Sequence, residues 1–212
     1  MSIANQLNIV HWTLKHQEAL KLHQTYPGTA NFSGLGSGKH IPAIQALKIW
    51  EQDGPALILA PSVIFNNWIK QIPIYAPNVS IGEVGTNYKT MPHVYLLSYE
   101  KLSRSEWQGL SATQLFNLPQ FATVICDEAH RIRNPETKTA QACYRFGDAA
   151  QHRIALTGTP FMNRSTDIYG IMRFVDSSLF GTDYQAFLRK YLPVTSSNLD
   201  ELHQLTYSRA IK

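Results

Sequence analysis

Short apolar runs recur along the chain at residues 29–33, 56–60, 93–98, 122–127 and 152–157, each of a length suited to one buried strand. Between them lie longer stretches, at 13–25, 41–51, 63–75, 106–116, 135–146 and 165–175, in which apolar positions return with helical spacing. Strands alternating with helices mark a parallel sheet, and nearly continuous apolar strands are those covered on both sides. The pattern therefore predicts an α/β fold with a mostly parallel central sheet and helices on both faces. Pro42 falls in the first turn of its helix, where a missing N–H costs little, and Pro73 should end or kink its helix near Tyr75. No internal repeat, Ser/Gly linker or block of like charge interrupts the alternation, so residues 1–212 read as a single lobe.

Composition narrows the class. A hydrophobic fraction of 44% with 12 glycines and 11 prolines is ordinary for a packed domain and excludes disordered or collagen-like chains. The balance of 19 basic against 15 acidic side chains, net +4, permits nucleic acid without requiring it. Cys126 and Cys143 form no CxxC pair and are too few for a disulfide framework, so free thiols in a reducing compartment are expected. The amino terminus lacks the basic start and apolar stretch of a signal peptide, and no apolar run spans a bilayer. An intracellular protein without membrane association is expected, cytoplasmic in a prokaryote or virus and nuclear in a eukaryote.

Chemistry concentrates in two segments. Ser33-Gly34-Leu35-Gly36-Ser37-Gly38-Lys39-His40 follows a strand and opens a helix, the context of a phosphate-binding loop. Glycines let amides turn toward phosphate oxygens, the helix start adds positive potential, and Lys39 supplies a mobile cation for the β- and γ-phosphates. Against GxxxxGK[ST], Ser33 replaces the first glycine and His40 replaces the hydroxyl residue that helps hold Mg²⁺. Imidazole is a poor magnesium ligand, so His40 should weaken metal binding or shift the ion onto water. Alone, the segment also reads as a plain glycine-rich turn. The second segment, Thr123 to His130, is an apolar strand that delivers Asp127 and Glu128 to its carboxyl end, where α/β sheets bind ligands. There Asp127 would hold Mg²⁺, directly or through water. Glu128 would orient and deprotonate the water attacking the γ-phosphorus, and His130 would link the site to the next motif by a hydrogen bond. An acidic helix cap is the plainer reading of this segment alone. The two segments in this order and context make a coincidence improbable.

Asp127-Glu128-Ala129-His130-Arg131-Ile132-Arg133-Asn134 resembles the DEAH-box segment of Swi/Snf-type ATPases of helicase superfamily two. The likeness runs in order from about residue 14 to 187. Leu14-Lys15-His16-Gln17 looks like the Gln motif that contacts adenine. Residues 57–62 with Asn67-Trp68 look like motif Ia, and Leu97-Ser98-Tyr99-Glu100 like motif Ib. Leu156-Thr157-Gly158-Thr159-Pro160, with Asn163 beyond it, is similar to motif III. The resemblance implies a RecA-like P-loop NTPase lobe that binds ATP with Mg²⁺ and drives movement on duplex DNA. Gln17 would lie on adenine, Gly36, Ser37, Gly38, Lys39 and His40 on the phosphates, and Thr157 and Thr159 would couple nucleotide state to DNA. It further implies backbone contacts to DNA near Ser62 and Ser98, which Arg131 could supplement and which would be weak for this chain alone. Motifs IV to VI of the family's second lobe, with their arginine finger, are not in the sequence. The chain thus reads as lobe one, needing a second RecA-like lobe in cis or in trans and turning over little by itself. The other reading is a non-catalytic, nucleotide-gated or protein-binding module whose loop is degraded at His40.

Other conspicuous residues take the plain reading. The histidines never reach HExxH spacing, so His11, His16 and His23 are expected as surface or capping residues. Trp12, Trp50, Trp68 and Trp107 are expected in core packing or as half-buried indoles rather than as a base-stacking platform. Cys126 should face away from Asp127, as neighbours on a strand do.

Overall fold

A computed structural model of the chain describes residues 13–87, 89–103, 118–161, 164–192 and 195–212. The helix expected over 106–116, together with His11, Trp12, Trp107 and Asn163, lies outside them.

The seven strands of the described residues form one parallel sheet. They are β1 (Gly28–Asn31), β2 (Ala56–Ala60), β3 (Ile81–Glu83), β4 (Val94–Ser98), β5 (Thr123–Asp127), β6 (His152–Leu156) and β7 (Ala210–Ile211). Their order across the sheet is β3-β4-β2-β5-β6-β1-β7, so β2, β5 and β6 are interior and β3 and β7 are the edges. Burial follows that order: every residue of β2, β4 and β5 is buried, whereas every residue of β3 is partly exposed.

Alternation along each strand divides the core between the two faces. Leu57, Leu59, Tyr95, Leu97, Val124 and Cys126 point to one side. There they meet α4 (Tyr99–Leu102), α5 (Lys138–Ala149), α6 (Ile168–Val175), α8 (Tyr184–Tyr191) and α9 (Ser196–Tyr207). Ile58, Ala60, Leu96, Ile125 and Ile154 point to the other, against α2 (His40–Ile49) and α3 (Phe65–Tyr75), with Leu20 of α1 (Leu14–Thr25) added at the margin. The α/β architecture with helices on both faces is thus as expected. The helix expected to end near Pro73 does stop at Tyr75.

Helix ends are capped locally. Thr13 and His16 form a reciprocal capping box on α1, and Thr137, Asp183 and Thr195 accept from the amides that start α5, α8 and α9. At the other end Arg153 of β6 donates to the carbonyls of Gly147, Ala150 and Val175 at 3.3, 3.0 and 3.0 Å, closing α5 and α6 over the sheet. A further short helix, α7 (Ser177–Phe180), leads into α8, where Tyr184 and Phe187 pack against Tyr169 of α6, and Phe180 and Tyr191 pack against Phe187.

His23 departs from expectation: it is neither a surface residue nor a cap but is 1% exposed, between α1 and β1. Its Nδ1 shares a 2.6 Å hydrogen bond with Thr29 Oγ1, while Nε2 has no partner. Burial strips water from the imidazolium and lowers its pKa from 6.5 to about 3. The native state therefore keeps this ring neutral where the unfolded chain takes up a proton. Its contribution is complete above pH 6.5 and falls as pH drops toward 3, by on the order of 1.4 kcal/mol per pH unit. Thermal midpoints followed from pH 7 to pH 4 should decline less steeply in His23→Leu than in the parent chain; equal slopes would assign acid lability to other groups.

Candidate functional site

The site grows from the carboxyl edge of the sheet. After β1 the chain turns through residues 33–39, with Gly36 and Gly38 at φ +74° and +75°, a left-handed region that side chains with a Cβ rarely adopt. The turn is closed by Ser37 N–H to Gly34 O at 3.3 Å and Ile41 N–H to Gly38 O at 2.9 Å. His16 supports it from α1, its Nε2 lying 2.9 Å from Ser37 O. A carbonyl only accepts, and Thr13 N–H donates to Nδ1 of the same ring, so the proton sits on Nε2. Any Cβ on Gly38 would come within 2.9 Å of that ring, a second reason for glycine there. Lys39 stands at the N-cap of α2 and is 5% exposed, while Gly34, Leu35, Gly36 and Ser37 are open to solvent. Amides, a helix start and a buried-stem lysine are what a polyphosphate requires.

One residue on, His40 crosses to the second segment. Its Nε2 is 2.7 Å from Asp127 Oδ2, which also accepts from Trp68 Nε1 at 2.9 Å. Asp127 Oδ1 accepts from Glu128 N–H at 2.9 Å, and Asp127 O from Tyr99 OH at 2.8 Å. The Asp127 side chain is fully buried. Glu128 then turns with φ 52° and ψ 48°, the one non-glycine of the described residues at positive φ. That turn aims Glu128 Oε2 at His130 Nδ1, 3.2 Å away, and the same nitrogen is 3.3 Å from Thr157 Oγ1. Thr157 Oγ1 in turn accepts from Thr159 N–H at 3.2 Å. Glu128, His130, Thr157 and Thr159 are thereby joined in a line across the ends of β5 and β6, next to the loop: a Cβ on Gly158 would lie 3.4 Å from Leu35 N.

Backbone strain at Glu128 yields a prediction. Left-handed geometry costs a residue with a Cβ about 1–2 kcal/mol, and glycine in the unfolded chain returns about 0.5–1 of that. Glu128→Gly is therefore expected to stabilise the fold by roughly 0.5–1 kcal/mol while deleting the carboxylate beside His130. Chemical denaturation measures it, and a destabilised variant would mean that the carboxylate's bond to His130 outweighs the strain.

The magnesium expected at Asp127 does not fit the donors as they stand. A carboxylate offers about four lone-pair sites. Both on Oδ2 face N–H donors and one on Oδ1 faces the Glu128 amide. The position that would bring a hydroxyl oxygen is an imidazole already spent on the same carboxylate. Among the described residues no three His, Cys, Asp or Glu side chains converge as metal ligands.

Residues expected to touch DNA are only partly together. Ser62 and Arg131 are exposed and both reach Glu100, through Ser62 N–H at 3.4 Å and Arg131 Nη2 at 3.1 Å. Glu100 and Arg131 line a polar groove of about 580 Å³ with Arg133, Asn134 and Thr137. Ser98 is not at that surface: it is 4% exposed and its hydroxyl caps α4, accepting from Lys101 N–H at 3.2 Å. Gln17 is exposed on α1, one residue from the ring that holds Ser37.

Trp68 was expected to be core, and at 1% exposure it is, yet its indole N–H also serves the site. Asn67 was read only beside Trp68 in the likeness to motif Ia, with no role toward His40, and Gln71 was not singled out. Their spacing of four on α3 was the available signal, since it places both on the face that carries Trp68 toward Asp127. Cys126 points away from Asp127 into the cluster with Tyr99 and Cys143, where burial pushes its thiol well above the usual range and leaves it unreactive. Both cysteines are free, as expected. No helix of the described residues is long and apolar enough to cross a membrane.

A family model described as the SNF2-related domain matches residues 6–210. The chain is 27% identical over 190 residues to the Chromodomain-helicase-DNA-binding protein 1-like of Danio rerio, covering 81% of this chain and 18% of that one. It is 27% identical over 197 residues to the putative ATP-dependent helicase/translocase YwqA of Bacillus subtilis, covering 86% and 20%. The chain therefore spans about a fifth of these relatives. Among solved structures, the SWI2/SNF2 ATPase core of Sulfolobus solfataricus in complex with dsDNA superposes with a TM-score of 0.77 at 23% identity, over 92% of this chain and 42% of that one.

Proposed function

The chain belongs to the SNF2-related family and has its RecA-like fold, and from that premise we propose that it is the ATP-binding first lobe of a DNA-dependent ATPase motor. Paired with a second RecA-like lobe, in cis or in trans, it would convert hydrolysis into movement on duplex DNA. The observation that carries the reading is the 2.7 Å contact between His40 and Asp127, which fastens the glycine loop of residues 33–39 to the acidic end of β5. Two segments far apart in sequence so become one pocket edge, at the carboxyl ends of parallel strands where such sheets bind ligands.

In this reading Gln17 meets adenine, the amides of Gly36 and Gly38 and the hydroxyl of Ser37 meet the phosphates, and Lys39 supplies the countercharge. Glu128 orients the attacking water and takes its proton, with His130 between it and Thr157 to pass the change on to Thr159 and the DNA side. Ser62 and Arg131 touch the DNA backbone by way of the Glu100 surface, without reading sequence. Binding to DNA should be weak and fall steeply with salt.

An arginine finger, carried by the second lobe in this family, is worth about 10³–10⁵ in turnover. Phosphate release from ATP by these 212 residues is accordingly expected near background, with or without duplex DNA. Brisk DNA-stimulated release would overturn the need for a second lobe. Calorimetry showing no heat with either ATP or ADP would overturn the nucleotide reading itself. The His40–Asp127 contact also favours a second reading, a nucleotide-gated module without turnover of its own.

A further inference from the structure

The donors on Asp127 continue into a chain of side chains from α3. Gln71 Nε2 donates to Asn67 Oδ1 at 2.5 Å, so the Asn67 amide nitrogen faces His40 Nδ1, 3.5 Å away. With an N–H directed at Nδ1, His40 carries its proton on Nε2, where Asp127 Oδ2 accepts it. Trp68 stands edge-on to the same imidazole, ring centroids 4.8 Å apart, and donates to the same oxygen. Trp68 is 1% exposed, so it cannot swing aside without opening the core between α3 and the sheet.

Resting on the nucleotide reading above, we infer that this site takes a nucleotide polyphosphate without a divalent cation, because the Gln71–Asn67–His40 relay and Trp68 hold the carboxylate that would otherwise ligate one. A cation could reach Oδ2 of Asp127 only by displacing N–H donors whose own partners are fixed, which leaves it at most the one open lone pair of Oδ1, and breaking one end of a buried network leaves the rest unpaired. The charge of the phosphates is met instead by Lys39, by the loop amides and by the start of α2. Three N–H donors onto Asp127 offset its charge, which lets phosphate approach a carboxylate that would otherwise repel it.

The test compares the dissociation constant of ATP by calorimetry in excess MgCl₂ and in excess EDTA. The two values should agree within about threefold. In His40→Ser, which restores a hydroxyl oxygen and breaks the relay, magnesium should tighten ATP at least about tenfold. Tightening of the parent chain by that amount would overturn the inference and leave the nucleotide reading standing. Failure to bind ATP in either buffer would remove both. Should His40→Ser not fold, the electron paramagnetic resonance of Mn²⁺ decides on the parent chain: with ATP held below the Mn²⁺ concentration, an undiminished solution signal of the uncomplexed ion on adding protein supports the inference, and a loss of that signal beyond ATP alone overturns it.

Discussion

Lys39→Ala is expected to remove half or more of the stabilisation that ATP confers on the chain. Ligand at one hundred times its dissociation constant stabilises a fold by about 2.7 kcal/mol. A hydrogen bond to a charged partner contributes about 1.5–3 kcal/mol, equivalent to a loss of roughly ten- to 150-fold in affinity. At the same ATP concentration the variant should therefore retain about 0.3–1.4 kcal/mol of the effect. Lys39 is the N-cap of α2 but makes no side-chain capping bond, so the unliganded variant should melt close to the parent. Thermal shift with and without ATP checks this, and an undiminished shift would place the phosphates away from the glycine loop. Leu35→Ala is the internal control, since Leu35 is 83% exposed on the same loop and offers phosphate nothing but its amide.

Gly170→Ala should place a damaging methyl in the site's support. Helix propensity alone says the opposite, because alanine is better than glycine inside a helix by about 1 kcal/mol. Gly170 lies in α6 where that helix crosses the turn after β5, and a Cβ there would sit 2.2 Å from Ile132 O and 2.5 Å from Arg133 O. Tyr144 OH spans the same junction, donating to Gly170 O at 3.1 Å. Neither carbonyl can retreat without moving the backbone that shapes Glu128 to His130. Overpacking against backbone costs about 3 kcal/mol here, which for a chain of this size lowers the thermal midpoint by roughly 6–12 °C. Gly36→Ala provides the contrast: its Cβ meets nothing within 4 Å, so only positive φ is penalised, about 1–2 kcal/mol. If Gly170→Ala melts at or above the parent, the close crossing of α6 over that turn is wrong.

What the sequence showed of the fold follows burial. Strands β2, β4 and β5 were legible to within a residue because, covered on both faces, they are nearly continuous apolar runs, with polar residues only at the ends of β4 and β5. Strand β3 contains Gly82 and Glu83 at an exposed edge, and β7 has only two residues; neither needs an apolar run, so neither announced itself. Helices α8 and α9 also went unread, although α8 carries its buried residues at Phe187 and Tyr191, four apart. The nucleotide segments were legible as motifs, since a phosphate loop demands glycines in local order. Bonds made across the fold were not. Nothing in the neighbourhood of Trp68 or Asn67 along the chain says that α3 will lie against the end of β5, and a histidine in the lysine's shadow could be read only as a missing hydroxyl. His23 was misjudged for the same reason: its burial is decided by β1 arriving beneath α1, not by its helical neighbours.

The indole of Trp68 touches both His40 and Asp127, while Trp50 is stacked flat on His152 at a centroid distance of 3.9 Å, beside Asp53 near the amino ends of the strands. The chain consequently contains its own optical reporter. Disturbing the hydrogen bond from the Trp68 ring nitrogen changes the colour and yield of its emission, whereas light from Trp50 should be indifferent to events at the opposite rim. Stopped-flow excitation at the indole band can then time the arrival of a ligand without any attached dye.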